Sequence, residues 1–442
     1  MPEDIVIGRD EADKKRFGNE ALIYLGKHYV KMGHITSLSN RVMMDVARSH
    51  VVLIAGKRGS GKSYSIGVIA EELARLKQEV AQNLSALIFD TMGIFWTMAY
   101  KNEKENELLG QWDLESEKLD VRIFVPFGYY KSYKEKGMPI TKSFALKVSE
   151  ITSDDWIITF GLNFVDPLAV VMERNVNLLL EELEEGRIKD FDLDDIIKVV
   201  NKDVHAGKTE KDAAINLFEG AKTWGVFSSR NEPGTAVEEL TMPAKTTILD
   251  LSCYSSVGSF NVRALVMGLL CKKIFNQRME ARKHEEIESV RHGLDYLYYK
   301  EKREMPLVWI AIDEAHEFLP KEGRTPATDA LIQLLREGRQ PGISLVLATQ
   351  QPGMIHQDVM TQADIVISHR VTAKPDVDAL NYIMQSYLSA DIKTYLDNLP
   401  RLTGSAIILD DNSERIYPMR VRPRFSWHGG EAPTAIKIKQ RV

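Results

Sequence analysis

Val51-Val52-Leu53-Ile54-Ala55-Gly56-Lys57-Arg58-Gly59-Ser60-Gly61-Lys62-Ser63-Tyr64 joins an apolar run to a glycine-rich turn. Continuous apolarity over Val51–Ala55 predicts a strand covered on both faces. Gly56 to Ser63 fits GxxxxGK[ST], and it lies between that strand and a helical pattern over Tyr64–Gln78, the context in which the motif binds phosphate. Glycines let main-chain N–H groups curl around phosphate oxygens, and the helix N-terminus adds the positive end of its dipole. On this reading Gly56, Arg58, Gly59, Ser60, Gly61, Lys62, Ser63 and Tyr64 bind nucleotide. Lys62 reaches the β- and γ-phosphates as a point charge, and the Ser63 hydroxyl ligates Mg²⁺. ATP and Mg²⁺ are the expected cofactors. At average residue usage a chance match is expected about once in 25,000 positions, and the chain has 442.

Outward from this loop, buried strands are expected at Ala86–Asp90, Thr246–Ser252, Leu307–Asp313, Ser344–Gln350, Ile365–Val371 and Ala406–Asp410, with helical patterns such as Asn261–Lys283 and Thr328–Glu337 between them. Alternating strands and helices predict an α/β fold with a mainly parallel sheet. Residues 149–240 carry only helical patterns, at Asn175–Glu185, Leu193–Asn201 and Lys211–Thr223, and are read as an all-helical insertion. That divides the core into 46–148 and 241–415. Residues 1–45 are too few for a domain of ordinary size. The charge-rich Arg278–Lys302 is expected to be a solvated helix and loop. Residues 416–442 hold Arg420, Arg422, Arg424, Lys437, Lys439 and Arg441, and read as a basic C-terminal arm.

The run Leu307–Ile312 delivers Asp313 and Glu314 at a strand end, the edge where α/β sheets bind ligands. Asp313 is expected to hold Mg²⁺ and Glu314 to polarise the attacking water as general base. The next strand ends in Gln350, whose amide suits a γ-phosphate or water sensor. Arg336, Arg339 and Arg370 lie near element ends. An arginine that stabilises transition-state charge is supplied by a neighbouring subunit in ring ATPases, and Arg339 is the first candidate, with Arg370 second. Its bland alternative is a cation complementing a helix C-terminus. Asp313-Glu314-Ala315-His316 also matches motif II of DEAH helicases. Only 126 residues follow His316, too few for the second domain those enzymes need.

The net charge of −6 gives no basic field that advertises nucleic acid. Cys253 and Cys271 lie in apolar contexts without CxxC spacing, and read as buried thiols in a reducing compartment. The N-terminus does not read as a signal peptide. The longest uncharged run, Gln340 to Gln357, is broken by Pro341 and Pro352 and is no membrane span. A cytoplasmic protein without membrane attachment is expected.

Taken in order, these segments resemble the HerA/FtsK branch of RecA-like ATPases, and HerA-type DNA translocases most. The phosphate-binding loop is similar to that family's GKTGSGKS form. Phe89-Asp90-Thr91-Met92-Gly93 resembles its D-x-x-G, and Thr247-Ile248-Leu249-Asp250-Leu251-Ser252 its VIDLS strand. Asp313-Glu314-Ala315-His316, Arg336-Glu337-Gly338-Arg339 and Thr349-Gln350-Gln351-Pro352 resemble its acid, arginine and SQRP segments, with Gln351 where arginine is common. The resemblance spans roughly Gly33 to Arg424. It implies a RecA-like P-loop core, a homohexamer with ATP between subunits, DNA in the pore, an arginine in trans and a nuclease or other effector partner. It also implies an N-terminal β-barrel domain, of which residues 1–45 would be a remnant or docking arm.

Three functions are open on this reading: a motor that translocates DNA, an ATP-gated hexameric scaffold that regulates a bound effector, and a conjugation-linked pump. For the motor, Lys321 and Arg324, on the loop after the acid motif, are the candidate DNA contacts. The alternative for that loop is a solvated charged turn.

Overall fold

The structure is a computed structural model describing residues 4–32, 35–255, 260–384, 392–431 and Ala435. Thirteen strands form one sheet: β1 (Ile5–Ile7), β2 (Leu22–Met32), β3 (Ile35–Asp45), β4 (Val51–Ala55), β5 (Leu84–Asp90), β6 (Val121–Pro126), β7 (Lys142–Phe144), β8 (Thr246–Asp250), β9 (Leu307–Ile312), β10 (Ile343–Thr349), β11 (Ile365–His369), β12 (Ser405–Asp410) and β13 (Arg415–Val421). Their spatial order is β1-β3-β2-β13-β12-β11-β4-β10-β9-β5-β8-β6-β7. From β11 to β7 every pairing is parallel, while β11–β12, β12–β13, β13–β2 and β2–β3 are antiparallel. The mainly parallel α/β sheet expected from the alternating pattern is therefore present.

Side chains alternate across each strand, so a sheet buried on both faces needs two cores. Leu53 and Ala55 of β4, Leu87 and Phe89 of β5 and Ile310 and Ile312 of β9 enter one core. Val52, Ile54, Ile88, Trp309 and Ala311 enter the other, with Ile66, Val68 and Ile69 of helix Lys62–Ala74. On the first face lie helices Phe260–His292 and Thr328–Glu337 and the helical segment between β7 and β8. That segment is built from Ser153–Thr159, Pro167–Glu184, Leu193–Lys202 and Lys208–Lys222. Two of these helices start with reciprocal caps, Thr152 with Asp155 and Asp192 with Asp195, which satisfy N–H groups that a helix end leaves unpaired. Trp156, Phe160, Phe218, Trp224 and Phe227 pack ring on ring beneath them.

Residues 1–45 join the sheet: β2 pairs with β13 and carries β3 and β1 with it, covering what would be an open sheet edge. Two expectations need correction. The basic stretch from 416 begins inside β13, and Arg422 and Arg424 are fully buried, both on the Glu71 carboxylate. Gly67 makes this possible, because a Cβ there would lie 2.5 Å from the Arg424 guanidinium. Lys437, Lys439 and Arg441 lie outside the described residues. Arg278–Lys302 is not uniformly solvated, since Arg278 and Glu285 are buried and pair with each other, and Arg303 joins Glu285. In both cases sequence shows the charges but not which of them pair.

Candidate active site

Strands β11, β4, β10 and β9 are neighbours, with Ala55 level with Thr349 and Ser368, and Leu347 level with Ile312. Whatever follows each strand therefore meets at one edge: the loop from Gly56, the acids Asp313 and Glu314, Gln350, and the end of β11 at His369.

The loop from Gly56 to Ser63 runs into helix Lys62–Ala74. Gly59 and Gly61 take φ of 74° and 113°, a region open to glycine at little cost. The Gly56 N–H donates to the Thr349 carbonyl at 3.2 Å and the Lys57 N–H to the Arg370 carbonyl at 3.1 Å, which ties the loop to the ends of β10 and β11. Beneath it His369 is fully buried, and burial lowers its pKa to about 4. Its Nδ1–H donates to the Ser405 carbonyl at 3.2 Å, which leaves Nε2 to accept from the Ser65 hydroxyl at 2.9 Å. Sequence reasoning missed His369, although a polar residue ending an apolar strand is the signal that marked Gln350.

The Ser63 hydroxyl donates to Asp313 Oδ2, so the loop and the acid motif touch directly. Asp313 is buried, which raises its pKa, while the Ser63 hydrogen bond works against that rise. Glu314 follows in left-handed backbone geometry, φ 51° and ψ 43°, uncommon outside glycine and found where a site imposes it. Burial first, and the Asp313 charge second, push its pKa to about 7, opposed by Lys62 and by a hydrogen bond from the Gln350 N–H. His316 Nδ1 and the Thr349 hydroxyl are hydrogen-bonded at 3.1 Å, and the Thr349 hydroxyl accepts from the Gln351 N–H at 3.0 Å. These two bonds fix the β10 end against the acid motif. Gln350 is half-buried beside Glu314.

The residues present fit a triphosphate and Mg²⁺. Lys62 is buried in the loop, Ser60 Oγ and Glu314 Oε2 are buried without hydrogen-bond partners among the described residues, and Ser63 and Asp313 bring two hard oxygen donors together. Tyr64 turns away from the loop: its hydroxyl donates to Glu105 at 3.2 Å and accepts from the Arg424 N–H at 2.6 Å.

Asp90 and Asp250 are side by side in register on β5 and β8. Asp90 accepts from the N–H groups of Met92, Gly93, Ile94 and Phe95, which explains the D-x-x-G pattern as a capped turn. Burial first, and the neighbouring Asp250 charge second, raise the Asp90 pKa.

Other predicted residues stand apart. Arg339 follows helix Thr328–Glu337 at the start of β10, the edge opposite the phosphate-binding loop. Its side chain is 72% exposed and contacts Asp364 Oδ2 at 3.2 Å. Arg336 pairs with Asp358 at 2.7 Å. Lys321 and Arg324 are exposed on a loop anchored by the Lys321 N–H to the Met354 carbonyl at 2.9 Å, with Arg324 3.6 Å from Asp329.

The sequence profile described as "Helicase HerA, central domain" matches residues 30–274, more than half of the chain. The chain belongs to the HerA helicase central-domain family. A second profile, described as Zonular occludens toxin (Zot), matches residues 243–375. Among curated proteins, the HerA-family chain is similar to a "Probable helicase" of Methanocaldococcus jannaschii, 23% identical over 98% of this chain and 73% of that one. It is also similar to a "Probable DNA double-strand break repair helicase HerA" of the same organism, 24% identical over 80% and 69% of the two chains. Its fold resembles VirB4 of Thermoanaerobacter pseudethanolicus, TM-score 0.57 at 11% identity, covering 91% of this chain and 96% of that one. The HerA-family chain is thus a P-loop ATPase with a RecA-like sheet, as its ordered motifs implied. No described helix is long and apolar enough to cross a membrane.

Proposed function

We propose that this HerA-family chain hydrolyses Mg-ATP as one subunit of a hexameric ring that translocates along or pumps DNA, in company with a nuclease or another effector enzyme. The observation that carries the reading is the contact of Ser63 with Asp313, with Glu314 buried beside them. It supports a site that holds phosphates and a metal on one side and a water-directed carboxylate on the other.

In this mechanism the loop N–H groups and Lys62 hold the phosphates, and Ser63 and Asp313 hold Mg²⁺. The ion, when bound, neutralises charge developing on the β- and γ-phosphate oxygens. Glu314 accepts a proton from the attacking water, and Gln350 orients that water or the γ-phosphate. Arg339 sits a strand's length from its own phosphate-binding loop, roughly 20 Å at about 3.3 Å per residue. Too far from its own nucleotide site to act there, Arg339 as a finger would serve a neighbour's nucleotide in the proposed ring.

An ATP-gated scaffold that regulates its effector without moving along DNA is the second reading. The net charge of −6 and the pairing of Arg324 with Asp329 favour it. Displacement of a third strand from a DNA triplex separates the two. The motor reading expects ATP-dependent displacement that Lys62→Ala abolishes. Hydrolysis with no displacement supports the scaffold.

A further inference from the structure

Arg339 ends a chain of alternating charges that runs into the fold. Asp364, just before β11, is 6% exposed. Its Oδ1 accepts from the Val51 N–H at 2.8 Å, and its Oδ2 faces His50 Nδ1 at 2.7 Å and Arg339 Nη2 at 3.2 Å. On the other side of the ring, His50 Nε2 faces Asp45 Oδ2 at 3.1 Å. Arg9 Nε donates to Asp45 Oδ1 at 2.7 Å, and the same guanidinium donates to the carbonyls of Gly18 and Glu20, both at 2.7 Å. Both imidazole nitrogens meet carboxylate oxygens, which only accept, so both must donate and the ring carries a proton. The series reads Arg9, Asp45, His50, Asp364, Arg339, and Arg339 alone among them is exposed.

Burying four alternating charges is costly unless each is paired, and apolar packing would fill the same space at less cost. What the arrangement provides is a carboxylate fixed in place. Asp364 cannot follow its partner, because His50 and the Val51 N–H hold it. The exposed pair it makes with Arg339 is weak and readily exchanged. Arg339 is thereby held at one spot and yet free to pass to a stronger anion such as a phosphate. It borders a cleft of about 1000 Å³, lined also by Arg48, His50 and Asp364.

We propose that Asp364 and His50 are positioning residues for Arg339, holding its guanidinium where the next subunit's nucleotide lies, with Asp45 and Arg9 locking the imidazole. This rests on the reading that Arg339 acts in trans. The same carboxylate touches the first residue of β4, and β4 and β11 end at the phosphate-binding loop and its His369 support. The arginine of one interface and the loop of the next are thus fixed to the same two strands.

The test compares Arg339→Ala, Asp364→Asn and His50→Gln in the full chain, with nucleotide binding and mass in solution measured for each. Arg339→Ala lowers kcat on the order of 10³-fold if it is a finger. Asp364→Asn and His50→Gln lower kcat on the order of 10²-fold, the cost of a misplaced catalytic group, and leave KM for ATP within about twofold. Asp364→Asn added to Arg339→Ala lowers kcat no further. Mixing Asp364→Asn with Glu314→Gln subunits restores turnover, because one kind of mixed interface pairs an intact arginine face with an intact nucleotide face. Damage to a subunit's own loop is not rescued this way. Unchanged kcat in both variants, no rescue, or loss of assembly in both overturns the positioning role while leaving Arg339 in trans intact. Wild-type turnover by Arg339→Ala overturns the trans reading itself, and the positioning role with it.

Discussion

Ser63 Oγ donates a hydrogen bond to Asp313 Oδ2, which joins two residues 250 positions apart in the chain at the carboxyl edge of one sheet. The pair is expected to act as a unit on Mg²⁺. Asp313→Asn keeps the size of the side chain and removes its charge, so the Mg²⁺ concentration for half-maximal hydrolysis should rise at least tenfold, or about 1.4 kcal/mol. Magnesium titration of the ATPase rate checks this, and an unchanged requirement removes Asp313 from the metal site.

Lys62 and Glu314 should fail differently. Lys62→Ala removes the main cation facing the phosphates and should abolish productive nucleotide binding. Glu314→Gln keeps the shape of the site and loses the base, so nucleotide should bind while turnover falls by roughly 10²- to 10⁴-fold. Fluorescent-nucleotide binding measured beside steady-state hydrolysis separates the two. Equal rates for Glu314→Gln and the parent rule out Glu314 as the base.

The sheet core and most of the site were legible because they are written locally. Apolar runs gave β4, β5, β8, β9, β10, β11 and β12 to within a residue or two, polar residues at strand ends marked Asp313, Glu314 and Gln350, and the glycine-rich GxxxxGK[ST] spacing marked Lys62 and Ser63. β6, β7, β13 and the N-terminal strands carry mixed or short patterns, and only pairing with a neighbour makes them strands. The same holds for charges. Arg422 and Arg424 look solvated until Glu71 is found 351 and 353 positions away. His50 and Asp364, 314 positions apart, carry no local signal at all.

His50 should make stability depend on alkaline pH. Burial opposes its charge, but hydrogen bonds and charges from Asp364 and Asp45 outweigh burial and raise its pKa from 6.5 to about 9. A proton held more tightly in the folded state stabilises it fully below pH 6.5, less as pH rises, and not at all above about 9. At 1.36 kcal/mol per unit the full effect is on the order of 3 kcal/mol. Urea midpoints at pH 6.5 and 9.5 should fall further for the parent than for His50→Gln. An equal fall in both contradicts a buried imidazolium.

Lys321 and Arg324 lie on an exposed loop after the acid motif, and in the proposed ring they are the candidate contacts to DNA. Replacing both with alanine should weaken DNA binding and flatten its log–log salt dependence by about 0.9 for each duplex phosphate that is no longer neutralised. Basal ATP hydrolysis should be kept. An unchanged salt slope places DNA elsewhere on the molecule.

The most direct test of an ATP-driven DNA motor is the hydrolysis rate of the purified chain with and without duplex DNA, recorded beside its mass in solution. The motor account predicts a hexamer whose Mg-dependent turnover rises severalfold with DNA, and a Glu314→Gln hexamer that binds DNA and ATP without turnover. A chain that hydrolyses ATP as a monomer at a rate DNA leaves unchanged contradicts it.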